Sequence, residues 1–294
     1  MTRAVAVRLG AFAGALALAF AAAFALGSAV DPVAAADPAP AADSHDGGMA
    51  EMPDAGHGDA DAQPPGLAVS QSGYTLVPQS TFFQPGKAQT LAFTIQGPDG
   101  KPVTQYTQTH EKDLHLIVVR RDLSGFHHVH PTRSADGVWS IPFTFTAGGQ
   151  WRIFTDFEPA ALGEKLTLGA DVNVSGPYVP VPMNKPASVY SVDGYDITMT
   201  GTPVAGEEST VTFSVSKGGK PVSDLQPYLG AFGHLVSLRG GDLAYLHTHP
   251  STTESGPEIG FGTTFPTAGT YSLFLDFQHA GKVRTAEFTV EVPR

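Results

Sequence analysis

The chain has 294 residues, of which 41% are hydrophobic and 15% charged, and it contains 33 glycines, 24 prolines and no cysteine. The length allows about two domains, and the glycine and proline content favours short strands joined by turns. Without cysteine there is no disulfide, thiolate metal site or cysteine nucleophile, so any metal ion must be held by histidine, methionine or carboxylate. The formal net charge of −11 argues against nucleic acid as a partner.

The N-terminal segment, residues 1–30, predicts export. Arg3 and Arg8 flank a run at 9–30 that contains no charged residue and is long enough to span a bilayer. The alanines at 34–36 offer small residues for signal cleavage, although they lie well beyond the apolar run. We therefore expect an extracytoplasmic protein that is either secreted after removal of a signal peptide or held at the membrane by a retained anchor.

Residues 31–66 have the composition of a disordered linker, rich in alanine, aspartate, proline and glycine. The segment carries eight acidic residues and neither lysine nor arginine. It also carries imidazole and thioether side chains, the ligand set that suits Cu(I). These side chains belong to His45, Met49, Met52 and His57. They predict either a tract that captures copper and passes it to the first domain, or an acidic spacer in which they have no such role.

The remainder of the chain is an internal repeat. Phe-Thr-Asp-Phe at 154–157 is matched by Phe-Leu-Asp-Phe at 274–277, and the surrounding sequence is similar as well. A repeat of this length means that each copy contains the elements of a complete domain. We predict one domain at 67–176 and a second at 188–294, separated by a proline-rich joint at 177–187.

Each copy contains short segments rich in β-branched and aromatic residues and bounded by glycine, proline and aspartate, which is typical of strands. In the first copy they lie at 91–95, 114–121, 138–145, 151–157 and 166–174. In the second copy they lie near 188–200, 208–216, 233–239, 243–248, 259–265, 270–277 and 284–292. The predicted fold class is therefore all-β, with two tandem immunoglobulin-like β-sandwich domains after an N-terminal apolar helix and a disordered linker.

Three histidines recur at the same spacing in both copies. The first set lies thirteen and two residues apart, and the second repeats these intervals 119 residues later: His115, His128 and His130, then His234, His247 and His249. Imidazole is a common ligand of copper and zinc, so the sequence predicts one three-histidine metal site in each domain. His110 and His279 have no counterpart in the other copy and are at most accessory.

Strand geometry determines whether the histidines of one copy can meet. A hairpin that turns at 122–125 would pair Val119 with His128 and place His115 diagonally across from His130. Because side chains alternate along a strand, the three histidines would then emerge on one face. A purely structural role stays open at this point, because duplication copies structural residues as faithfully as functional ones.

Two aspartates, Asp156 and Asp276, also recur within aromatic strands. As buried carboxylates they have two alternative roles. Each could lie outside the coordination shell and orient a ligand histidine, or it could pair with an arginine such as Arg120 or Arg239.

The stretches 110–131 and 229–250, which both end in His-x-His-Pro, resemble the core motif of secreted bacterial YtkA-like proteins. The resemblance covers both domains, about residues 70–292. It implies immunoglobulin-like domains similar in character to extracytoplasmic copper-handling sandwiches, a secreted or membrane-anchored location, and a role in heavy-metal handling.

The resulting hypothesis is a non-enzymatic, extracytoplasmic protein that binds copper, or alternatively zinc, and acts in metal handling or delivery together with a metal-transport protein. A hypothesis from another class is an envelope interaction or scaffold module with structural histidines. A zinc-dependent hydrolase is a third. The sequence argues against it, because Glu111, the nearest candidate base, is matched by Gly230 and no nucleophile elbow occurs.

Overall fold

The structure is a computed structural model that describes residues 63–246, 248–251 and 254–294. The predicted N-terminal anchor, the linker up to residue 62 and His247 lie outside the described residues, and so does the side chain of His249. The described part of the chain consists of strands, turns and extended segments, without a helix. It accordingly offers no helix with the length and apolar character needed to cross a membrane.

The described strands of the first domain run from β1 to β11. They are β1 Ser70–Gln71, β2 Tyr74–Pro78, β3 Phe82–Phe83, β4 Ala88–Gln96, β5 Tyr106–Thr107, β6 Leu114–Arg120, β7 His127–Val129, β8 Thr132–Arg133, β9 Val138–Thr144, β10 Gly149–Pro159 and β11 Leu166–Val174. One sheet has the order β1-β2-β4-β9-β8. The other has the order β3-β11-β10-β6-β7, with β5 pairing with β10.

The described strands of the second domain run from β12 to β21. They are β12 Val189–Val192, β13 Tyr195–Thr200, β14 Glu208–Lys217, β15 Lys220–Pro221, β16 Gly233–Arg239, β17 Tyr245–Leu246, β18 His249–Pro250, β19 Glu258–Thr264, β20 Gly269–His279 and β21 Lys282–Val292. One sheet has the order β12-β13-β14-β19-β18, with β15 beside β14. The other has the order β17-β16-β20-β21.

The strand order identifies both domains as immunoglobulin-like sandwiches. In the first domain β2-β4-β9-β8 faces β11-β10-β6, which matches the A-B-E-D and G-F-C sheets of that fold. In the second domain β13-β14-β19-β18 faces β21-β20-β16 in the same way. The all-β prediction is therefore confirmed for the described residues. The predicted single strand at 188–200 is a hairpin instead, because Asp193 and Gly194, with φ of 50° and 77°, form a tight turn between β12 and β13.

Each sandwich has its own core, formed by the inward faces of its two sheets. Phe93 and Trp151 are almost completely buried in the first core, and Phe213 and Phe277 are completely buried in the second. Strands β6 and β10 also bury their outward faces, and all seven residues of β6 are buried. A strand that is buried on both sides needs a continuous apolar run rather than alternation, which accounts for the sequence of β6.

The outward faces of β6 and β10 pack against β16 and β20 of the second domain and form a third apolar cluster. Its buried members are Ile117, Val119, Leu123, Phe154, Val236, Leu238, Leu243, Tyr245 and Phe274. The ring of Phe126 stacks on Phe274 with centroids 3.9 Å apart, and Phe154 contacts Tyr245 with centroids 5.8 Å apart. The described residues from 63 to 294 accordingly belong to one compact unit. We call the contact between the two sandwiches the seam.

A short segment that contains a turn, residues 63–67, lies along the seam and is bonded to both domains. The carbonyl oxygen of Pro65 accepts a hydrogen bond from the Tyr245 amide at 2.9 Å, and the amide of Gly66 donates to the carbonyl oxygen of Thr167 at 2.9 Å. The guanidinium of Arg152 donates to the carbonyl oxygens of Gly66 and Leu67. Residues 63–66, which the sequence assigns to the linker, therefore help to hold the domains together.

Replacement of Phe154 by alanine should destabilise the compact unit by about 3–5 kcal/mol, because this ring is completely buried in the seam. Phe82→Ala is the matched control, since Phe82 is 75% exposed and its truncation should change stability by less than about 0.5 kcal/mol. Urea denaturation of residues 59–294, followed by tryptophan fluorescence, measures both changes. Equal losses in the two variants would mean that the seam adds little to stability.

Candidate metal centre

Strands β6 and β7 bring the three histidines of the first copy together. Ile117 lies opposite His128 and Leu116 opposite Val129. The predicted pairing of Val119 with His128 is wrong by two residues, because the turn is longer than expected and β7 begins only at His127. A shift of two residues leaves every side chain on its predicted face. In this register His115 is directly opposite His130 rather than diagonal to it.

The ring nitrogens of these three histidines converge on a single point. His115 Nδ1 lies 3.1 Å from His128 Nε2 and 3.1 Å from His130 Nε2. One nitrogen of each ring lies within 4.8 Å of the others, which is the spacing of ligand atoms around one ion. Among the described histidine, aspartate and glutamate residues, this group of three has the arrangement of a metal site. We call it the triad.

Hydrogen bonds on the far side of the rings fix which nitrogens face the centre. His115 Nε2 lies 2.9 Å from the carbonyl oxygen of Thr109, which can only accept, so Nε2 carries the proton and Nδ1 of the neutral ring has a free lone pair. His128 Nδ1 lies 2.8 Å from Asp276 Oδ2, so Nδ1 donates, and in the neutral ring Nε2 has the lone pair. When both rings are neutral, two lone pairs face one another at 3.1 Å, an arrangement that a cation would stabilise.

Asp276, which holds His128, belongs to the second domain. Its other oxygen, Oδ1, accepts a hydrogen bond from the Thr285 hydroxyl at 2.5 Å, so the carboxylate is fixed from both sides. Of the two partners that the sequence allows for this aspartate, a histidine is the observed one, and the orientation of a metal ligand by Asp276 stays a prediction. The arginines are paired elsewhere, because Arg120 bonds Asp122 and Arg239 bonds Asp242.

The second copy repeats part of this arrangement within the described residues. His234 Nε2 lies 2.7 Å from the carbonyl oxygen of Tyr228, the counterpart of the bond from His115 to Thr109. Asp156 of the first domain is the counterpart of Asp276. It accepts a hydrogen bond from the Thr167 hydroxyl at 3.3 Å, and the Tyr245 hydroxyl of the second domain is also bonded to it. The predicted ligands His247 and His249 stay predictions, because neither side chain is among the described parts of the structure.

His110 lies closer to the centre than the sequence analysis expected. Its ring centroid is 5.1 Å from that of His234 and 6.1 Å from that of His115. His110 and Glu111 have φ of 49° and 61°, a left-handed conformation that costs energy in residues other than glycine and often marks a functional site. The repeat does not predict this position, since its counterpart in the second copy is Leu229. His279, by contrast, bonds Tyr195 and Asp224 away from the triad.

A small cavity of about 30 Å³ lies beside the triad at the seam. Its polar lining comes from both domains and comprises His110, His115, His128, Asp156, His234, Tyr245 and Thr248. Leu235, Val236 and Pro250 supply the apolar part. The volume suits one or two atoms, so the cavity fits an ion or a water molecule and excludes an organic substrate.

Burial controls the protonation of the cluster. Desolvation, reinforced by the neighbouring His128, lowers the pKa of His115 to about 4. Desolvation and then His128 and His115 lower the pKa of His130 to about 2, and desolvation also lowers the pKa of His234. In the second copy, burial and then the Asp156 carboxylate raise the pKa of Tyr245 well above its usual value. The rings of His115, His130 and His234 are therefore neutral at pH 7 and able to bind a metal ion.

A family model described as "Domain of unknown function (DUF8832)" matches residues 68–176 and 190–294. These two segments make up more than half of the chain, so the chain belongs to this family and contains its domain twice. The resemblance to YtkA-like proteins stays a prediction. No curated protein matches the chain.

Three solved structures are similar to parts of the chain. A DUF4426 family protein from Pseudomonas aeruginosa is 12% identical, with 36% of this chain and 96% of that one covered and a TM-score of 0.28. The Escherichia coli adhesin FdeC is 14% identical, with 77% and 66% covered and a TM-score of 0.25. InvD of Yersinia pseudotuberculosis is 13% identical, with 76% and 58% covered and a TM-score of 0.26. The strand order described above, rather than these low scores, identifies the fold.

In the absence of metal, stability should fall as the pH decreases from about 6.5 towards 4. Unfolded histidine has a pKa near 6.5. The folded-state pKa is about 4 for His115 and about 2 for His130, so between these values the unfolded chain binds more protons than the folded one. This contribution is fully present above pH 6.5. Urea midpoints measured with a chelator between about pH 7.5 and 4.5 should decline less steeply in His115→Gln/His130→Gln. Parallel profiles would contradict the expectation.

Proposed function

We propose that this protein is an extracytoplasmic metal-binding protein that acts in copper handling or delivery, with an ion held by His115, His128 and His130. The observation that supports the proposal most strongly is the convergence of three ring nitrogens, with contacts of 3.1 Å. The carbonyl of Thr109 and the carboxylate of Asp276 hold two of the rings from behind, as outer partners do for metal-ligating histidines.

A purely structural role accounts less well for this arrangement. When His115 and His128 are both neutral, their lone pairs face one another in a buried site and repel, and each is a polar group without a donor, which costs about 1–3 kcal/mol per group. His130 Nε2–H can donate to His115 Nδ1 and relieve one of them. The lone pair of His128 Nε2 still faces the same nitrogen. A cation at the centre would bind all three nitrogens at once.

Copper is proposed over zinc because of two features outside the triad, the linker and the N-terminal segment. Three imidazoles suit either ion. The acidic linker adds methionine thioethers, which favour Cu(I) and have little affinity for zinc, and the first 30 residues predict export. A binding role is proposed rather than catalysis, because the cavity is too small for an organic substrate and its carboxylate, Asp156, is already bonded by Thr167 and Tyr245.

Residues 59–294 should retain copper after dialysis, and His128→Ala/His130→Ala should lose the ion held by the first copy. If the second copy also binds, as its spacing predicts, the wild type should hold about two ions and the variant one. Elemental analysis after exposure to copper and, in parallel, zinc gives the stoichiometry and the preferred ion. This chain omits His45, Met49, Met52 and His57, so the candidate ligands of the linker do not contribute.

His279→Ala is the matched control, because His279 is a histidine of the second domain that bonds Tyr195 and Asp224 outside the cavity. It should bind as much copper as the wild type. If the wild type retains no metal, the proposal fails, and an envelope interaction or scaffold module with structural histidines becomes the better hypothesis.

Asp276→Asn should weaken metal binding by the triad about 10- to 100-fold, although Asp276 is not a ligand and lies in the other domain. An amide holds the Nδ1–H of His128 less strongly than a carboxylate does, and it adds no basicity to the ring. Asp242→Asn, which alters a carboxylate paired with Arg239 in the same domain, is the control. Copper affinities measured by competition with a chelator should differ between the two variants. Equal affinities would show that Asp276 does not orient His128.

A further inference from the structure

We infer that His234 is a further ligand of the ion held by the triad, so that one metal ion bridges the two domains. The inference rests on the proposed function. It differs from the prediction made by the sequence spacing, in which His234 belongs to a separate site together with His247 and His249.

The orientation of the His234 ring supports this role. The ring is buried, with 7% of the residue exposed, and it lies on the face of β16 that forms the seam. Its Nε2 donates to the carbonyl oxygen of Tyr228 at 2.7 Å, so the proton is on Nε2 and Nδ1 has the lone pair. This is the same arrangement as in His115, and both residues line the cavity.

The His234 ring lies about 1 Å farther from the triad than a shared tetrahedral ion requires. A nitrogen ligand lies about 2.0–2.1 Å from the metal, which puts the ring centre roughly 3.2 Å away, so two rings on one tetrahedral ion have centroids about 5.2 Å apart. Within the triad the separations are 4.9–5.3 Å. The centroid of His234 is 6.1 Å from that of His128 and 6.4 Å from that of His115. The Nδ1 of His234 is therefore outside the ligand spacing of the triad in this structure, and an inward movement of the ring by about 1 Å would bring it to the fourth position of the ion.

The triad alone lacks the fourth ligand of a structural metal site. Three nitrogens leave the fourth position of a tetrahedral ion open, and a structural site normally fills it. Among the described residues, His234 presents an imidazole of the second domain to both His115 and His128 across the seam. Asp276 of the same domain already holds His128 from behind, so the second domain contributes to both the ligands and their orientation.

A shared ion and a separate second site can be distinguished by removing His234 from a chain that already lacks His247 and His249. The background is the full chain in detergent with His247→Ala and His249→Ala, in which a separate second site has lost two of its three ligands. His234→Gln is added, because the glutamine amide can still donate to Tyr228. His279→Gln is the matched control. The probe is Co²⁺ alone, whose visible absorption reports the number and geometry of its ligands.

We expect His234→Gln to weaken Co²⁺ binding at least tenfold and to reduce the intense absorption typical of four-coordinate Co²⁺, whereas His279→Gln leaves both unchanged. An unchanged affinity and spectrum in His234→Gln would overturn the bridging role while leaving metal binding by the triad intact. If the background chain binds copper but no Co²⁺, the four-ligand site is absent and the bridging role fails alone. If it binds neither ion, the triad is not a metal site, and the proposed function fails together with this inference.

A second measurement avoids any change at position 234, in case His234→Gln does not fold. Histidine side chains labelled with ¹⁵N report directly which ring nitrogens bind Zn²⁺. In the background chain the Nδ1 signal of His234 should shift together with the signals of the three triad nitrogens. A shift confined to His115, His128 and His130 would exclude His234 as a ligand.

Discussion

The seam is the feature on which the rest of the site depends. An antiparallel sandwich can leave the outer face of each sheet in water, but here β6 and β10 bury that face against β16 and β20. The same burial removes water from the imidazoles, which lowers the pKa of His115 and His130 and keeps both rings neutral. It also brings Asp276 of one domain to His128 of the other. Without the seam, the three histidines would form an exposed cluster with one of its rings unsupported.

The two halves of the seam are similar but not identical. Phe126 stacks on Phe274, whereas its counterpart Tyr245 contacts Phe154 and also donates a hydrogen bond to Asp156. At the corresponding position, Phe126 has no hydroxyl and cannot donate to Asp276. A carboxylate that accepts from a tyrosine and a threonine has less charge available to orient an imidazole than one that accepts from a threonine alone. The single hydroxyl of Tyr245 therefore makes the two copies chemically different, although the spacing of their histidines is the same.

The sequence predicts much of the fold and part of the site. Glycine, proline and aspartate around short apolar segments locate most strands, and the alternation of side chains places His115, His128 and His130 on one face even though the predicted pairing is wrong by two residues. The alternation of side chains determines on which face of the sheet a residue lies, but it does not determine which part of the protein packs against that face. The contact of His128 with Asp276 joins residues 148 positions apart in different domains, and nothing in either local sequence specifies it. The place of His110 depends on a left-handed turn that the second copy repeats at Leu229, where there is no imidazole.

Duplication explains why the histidines are concentrated at the seam. When two copies of a domain pack through the same face about an approximate two-fold axis, a residue near the axis lies close to its own counterpart. His115 and His234 are such a pair, with ring centroids 6.4 Å apart. A histidine that was acquired by one ancestral domain would thus be doubled at the axis after duplication, without any further substitution. The same symmetry carries each repeated aspartate towards the opposite copy, where Asp276 reaches His128 and Asp156 reaches Tyr245. The candidate centre is therefore a property of the domain pair, because an isolated first domain would retain its triad but lose the carboxylate that orients it.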